Sequence, residues 1–80
     1  MDKDLGLLIL TSCSQSTREI EELIPLLKAH APSDDYEHLK LAIGSAIYGI
    51  MSEIMEYVEN RCPELKGDRE RRLEKFGRAF

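Results

Sequence analysis

The chain is poor in the residues that staple a fold, span a membrane or catalyse a reaction. Two cysteines, Cys13 and Cys62, in 80 residues cannot build the disulfide framework of a small secreted domain. They are expected as buried free thiols in a cytoplasmic protein. No stretch approaches the ~20 consecutive apolar residues of a membrane span, so no membrane association is expected. There is no glycine-rich phosphate loop, no Ser-His-Asp set and no zinc-ligand spacing. Accordingly no catalytic residue, cofactor or metal is assigned. Three prolines and no tryptophan, beside abundant Leu, Ile, Glu, Lys and Arg, indicate an all-α fold.

What is present suits one ordinary soluble domain, 1–80, with 42% hydrophobic and 32% charged residues. A domain this short buries only about 60–65% of its unfolded surface. Such chains usually need a staple, a metal or a partner. The net charge of −4 hides an asymmetry: residues 1–60 sum to −7 and residues 61–80 to +3. A basic tail on an acidic body can fold back, meet the body of another copy, or bind a polyanion.

One long helix, about 34–62, organises the sequence. Pro32 and Ser33 mark its start, with Asp34, Asp35 and Glu37 at the positive end of the dipole. Pro63 disfavours a helical Cys62 and stops it. Leu39, Ile43, Ile47, Ile50, Ile54 and Tyr57 form one apolar row. Gly44, Tyr48, Met51, Met55, Val58 and Cys62 form a second, about 100° round the cylinder. Together they span roughly 200°, twice the stripe of a surface helix, and imply neighbours on two sides. The rod measures about 42 Å, longer than the ~30 Å globule of a compact chain this size. Either it bends at Gly44 or Gly49, or a second copy covers the excess; the second copy is the preferred reading.

The other segments pack around this rod. Leu10-Thr11-Ser12-Cys13 matches a lipoprotein cleavage box, but the acidic start and six-residue apolar core do not make a signal peptide. Residues 3–13 are read as a short helix, because a strand would lack a partner for its backbone. Thr11 to Thr17 reads as a polar link. Ser16 and Glu19 fit a capping box opening a helix over 17–30, kinked near Pro25. Alternatively, residues 3–30 form one bent rod. After Pro63 a turn over 64–67 runs through Gly67, and Asp68 opens a last helix to about residue 78. Leu73, Phe76 and Phe80 lie on one side of it.

The remaining constellations are weaker than their ordinary readings. Asp35-x-x-His38 places two ligand types on one face, but a di-metal bundle needs two Glu-x-x-His motifs and two further carboxylates. Glu53, Glu56 and Glu59, like Glu19 and Glu22, have the spacing by which α-helical nucleotide hydrolases hold Mg²⁺, on what reads as a polar arc. The basic tail could follow phosphates, yet Asp68, Glu70 and Glu74 interrupt it. Within the helix, Glu70 and Glu74 suit Arg71, Lys75 and Arg78 as partners.

The expectation is thus an all-α bundle of three to four helices around the long helix, forming a homodimer. Ala42, Ser45, Gly49 and Ser52, flanked by Ile43, Ile47, Ile50 and Ile54, form the expected dimer or helix-crossing face. The expected function is non-enzymatic: a small regulatory or adaptor protein of the inhibitor, antidote or anti-activator type. Its acidic body suits a protein partner with a basic surface. Arg69, Arg71, Arg72, Lys75, Phe76, Arg78 and Phe80 form a second candidate partner surface. The alternatives are a nucleic-acid binder using the basic helix, and a Mg²⁺-dependent nucleotide hydrolase.

Overall fold

The computed structural model describes residues 1–77. It consists of helices α1 (Lys3–Glu21), α2 (Leu23–His30), α3 (Ser33–Gly49), a π-helical segment (Ile50–Met55), α4 (Glu56–Arg61) and α5 (Pro63–Phe76). No strand occurs among the described residues. The chain is all-α.

Residues 3–30 form one bent rod, so the polar link expected at Thr11–Thr17 does not exist. Asp2 caps the rod, its carboxylate accepting from the Asp4 N–H at 2.9 Å. The small polar residues stay helical because their hydroxyls turn back onto the preceding turn. Thr11 donates to the Leu7 carbonyl at 2.8 Å and Thr17 to that of Ser14 at 3.0 Å, the local bonding expected of such residues inside a helix. Ser16 therefore caps nothing. The bend falls at Glu22, next to the Glu21 carbonyl that Pro25 cannot bond.

The long helix runs from Ser33 to Arg61 between its two prolines, as the sequence indicates. Pro32 holds the cap position and Ser33 is already helical, without a side-chain cap bond. Neither Gly44 nor Gly49 has any neighbouring side chain within 4 Å of where a Cβ would stand. No intramolecular crossing uses them.

The irregularity lies just beyond Gly49. The Glu56 N–H bonds the Met51 carbonyl, five residues back, as in a π turn. Ser52 meanwhile donates its hydroxyl to the Tyr48 carbonyl at 2.9 Å. One extra residue in a turn rotates everything after it by about 100°. That rotation exchanges the two apolar rows. Before the π segment, Ile43, Ile47 and Ile50 of the first row are half-buried. From its last two residues onward, Met55, Val58 and Cys62 of the second row are buried, while Ile54 and Tyr57 of the first are exposed. The first row is half-buried at Ile43, Ile47 and Ile50 and exposed beyond; the second is exposed up to Met51 and buried from Met55.

Packing makes an antiparallel hairpin. α2 lies on α3, and α1 runs along the π segment and α4. The two rods are joined through Ala31 and Pro32 at a closed end, and α5 covers the open end against α1 and α4. The molecule measures 44 × 25 × 15 Å. Its length is that of the long helix itself, so the hairpin partner covers the rod from end to end, along one side. The slab is little thicker than a helix with its side chains. The two-sided burial expected of the long helix is absent within the chain.

The tail departs from expectation as well. α5 starts at Pro63, which takes the first helical position where its missing donor costs nothing. Gly67 lies inside the helix rather than in a turn. Gly77, at φ 74°, ends α5 in the left-handed conformation glycine adopts freely, its N–H bonding the Leu73 carbonyl. The end expected near residue 78, and the side chains of Arg78 and Phe80, lie outside the described residues.

Candidate interaction surface

The core sits wholly at the open end. Leu10, Met55, Val58, Cys62 and Leu65 are buried, with Leu7, Ile9, Cys13 and Ile50 packed against them. Gly6 makes this assembly possible. A Cβ there would stand 3.0 Å from Leu65 Cδ1, 3.2 Å from Cys62 Sγ and 3.3 Å from Val58 Cγ1. The close helix crossing within the chain is at Gly6, not at Gly44 or Gly49. Its neighbours, Leu5 and Leu7, hid it in what reads as an uninterrupted apolar run.

One buried ion pair fixes α5. Glu59 is 4% exposed, and Arg69 Nη2 donates to its Oε2 at 3.1 Å. Arg69 Nε stands 2.8 Å from Oε1, an electrostatic contact without hydrogen-bond alignment. Glu59 therefore does not lie on the polar arc with Glu53 and Glu56, and Arg69 is occupied inside the fold. Arg71 bonds Asp68 at 3.0 Å rather than Glu70 or Glu74. Arg72 is half-buried, and Lys75 holds its ammonium 5.2 Å from the Phe76 ring centre. Leu73 and Phe76 do not dock within the chain; Phe76 is 66% exposed.

The expected dimer face divides. Ile50 is spent on the intramolecular core, and Ile43 and Ile47 are half-buried against the α1–α2 rod. Ala42, Ser45 and Ile54 are exposed, and Gly49 and Ser52 half-buried. Leu41 and Tyr48 were not on that face, yet they are 72% and 73% exposed, the most of any large apolar residues described. From residue 11 to residue 54 no residue is buried at all. The closed half of the hairpin has apolar residues but no interior.

A cleft of about 210 Å³ lies where α1 meets the π segment, lined by Ser12, Cys13, Ser16, Ile50 and Ile54. It is smaller than the ~300 Å³ from which small-molecule sites begin, and it opens to solvent. Burial pushes the Cys13 thiol above its ordinary 9.0, the opposite of an activated nucleophile. Cys13 is therefore expected to react with a disulfide reagent at pH 7 at least several-fold more slowly than free cysteine. An equal or faster rate would refute this environment. The linkage has a definite sign: below pH 9 both folded and unfolded thiols hold the proton, and Cys13 adds no pH dependence. Above it the unfolded thiol ionises first, and stability falls.

Cys62 Sγ donates to the Met1 carbonyl at 3.6 Å, and both cysteines are free thiols. Among the described residues no three His, Cys, Asp or Glu side chains are grouped to hold a metal ion. Nor is any described helix long and apolar enough to cross a membrane. Compared with known proteins, the chain matches no family model, no curated protein and no solved structure.

Proposed function

We propose that this chain is a non-enzymatic regulatory or adaptor protein that works through its surface as a homodimer. Two hairpins, packed through the uncovered sides of their long helices, would complete a bundle around that helix. The observation that carries this reading is the missing interior of residues 11–54. A compact monomer of 9.2 kDa exposes about 4,900 Å². This chain exposes 5781 Å². The chain thus exposes more surface than a compact monomer of its mass, which leaves room for a partner.

A dimer of this kind joins two acidic bodies into one larger acidic surface, suited to a partner protein with a basic face. An inhibitor, antidote or anti-activator would act through such a surface. Sedimentation equilibrium at micromolar concentration is expected to give twice the 9.2 kDa chain mass. A mass of one chain would sink the dimer. Heparin retention at moderate salt would move the reading to a nucleic-acid binder. Mg²⁺-dependent nucleotide turnover lost in Glu56→Ala would move it to a hydrolase.

A further inference from the structure

The two ends of the slab differ in charge and share an unsatisfied apolar surface. At the closed end, Glu19, Glu21, Glu22, Asp34, Asp35 and Glu37 are all exposed. Leu23 and Leu26 of α2 are exposed beside them, with no interior to enter. At the open end, α5 is anchored by Leu65 and Arg69 in its first two turns. Its outer half leaves Arg71, Leu73, Lys75 and Phe76 exposed.

From this distribution we infer that the two copies pack antiparallel, with α5 of each seated on the acidic closed end of the other. The inference rests on the dimer proposed above and adds its orientation and a second contact. In a parallel pair the two carboxylate clusters would face each other across the axis, and like charges so placed oppose association. An antiparallel pair brings each cluster opposite its partner's α5, in which Lys66, Arg69, Arg71, Arg72 and Lys75 outnumber Glu64, Asp68, Glu70 and Glu74 by one. It also brings Leu73 and Phe76 to the apolar residues of α2, so that both uncovered surfaces are closed by one arrangement. The two-fold axis crosses near the middle of the long helix, where the open space at Gly44 and Gly49 lets two backbones approach. The contact is isologous, as a closed dimer requires.

Two charge-reversed chains test it. Asp34→Lys/Asp35→Lys brings the net charge from −4 to about zero, so repulsion between whole molecules falls. In the antiparallel dimer it nevertheless sets cation against cation, and self-association at low salt is expected to weaken about tenfold or more. Arg71→Glu/Lys75→Glu is expected to weaken it likewise by setting acid against acid. An equimolar mixture of the two restores attraction at both contacts and is expected to dimerise with wild-type affinity. Circular dichroism checks the fold of each, and the single changes Asp35→Lys and Lys75→Glu replace either double variant that loses helicity. A Lys-substituted chain that associates as tightly as wild type, or a mixture that shows no rescue, would overturn the antiparallel arrangement while leaving the dimer intact. A monomeric wild type would instead remove the dimer itself.

Discussion

Leu10→Ala is expected to destabilise the chain by about 3–4 kcal/mol, the lost transfer energy plus the cavity left among side chains that cannot collapse. Leu10 is 0% exposed and belongs to a cluster whose other buried members are Met55, Val58, Cys62 and Leu65. That is the whole interior among the described residues. Domains of this size hold roughly 4–12 kcal/mol in all, and one with five buried apolar side chains belongs near the bottom of that range. The melting temperature should therefore fall by about 15–25 °C, enough to leave much of the population unfolded at 37 °C. Leu8, two residues away, is exposed, and Leu8→Ala should change the melting temperature by no more than ~3 °C. Thermal unfolding followed by circular dichroism at one fixed, low concentration keeps association out of the comparison. A loss under 1 kcal/mol for Leu10→Ala would mean that the core lies elsewhere.

That core was legible only in part, for reasons visible in particular residues. Pro32 and Pro63 announce the ends of the long helix because proline acts on its neighbours through local geometry alone. The break near Pro25 follows from the same chemistry. Thr11 to Thr17 misleads because hydroxyl side chains favour links as readily as they bond back inside a helix, and only packing against the π segment decides between them. The π segment was invisible. With apolar residues on both rows, periodicity gives no sign of where one row yields to the other, and the burial of Met55, Val58 and Cys62 and the exposure of Ile54 and Tyr57 change with it. Gly67 suggests a turn by propensity, but burying Leu65 and bringing Arg69 to Glu59 outweighs the ~1 kcal/mol a helical glycine costs. The uncovered surface was foreseeable in kind, since an arc of ~200° exceeds what one neighbour can cover. Its location was not. Leu41 and Tyr48 became the most exposed large apolar residues because the hairpin partner chose the opposite side.

The ion pair that turns α5 into part of the fold should be the second most sensitive point. Arg69→Met removes the cation and leaves the Glu59 carboxylate, 4% exposed, without its partner. A buried charge stripped in this way costs several kcal/mol. Since a quarter of the Arg69 side chain reaches solvent, water moderates the loss to about 2–3 kcal/mol. Replacing both residues, as Glu59→Leu/Arg69→Met, removes the desolvation problem along with the attraction and should recover stability to within ~1 kcal/mol of wild type. The cycle is thus expected to show a coupling of about 2 kcal/mol. A stable double variant would not be a neutral one, however. The one directional hydrogen bond from Arg69 Nη2 to Glu59, with Nε close beside the other oxygen, sets the rotation of α5 about its own axis, which an apolar pair cannot specify so narrowly. Arg71 and Lys75 take their direction from that rotation, being two and six residues further along the same helix. The double variant should therefore keep its melting temperature yet dimerise more weakly. Arg69→Met and the double variant melting alike would show instead that Glu59 finds solvent or another donor when Arg69 is gone, and that the pair does not fix α5.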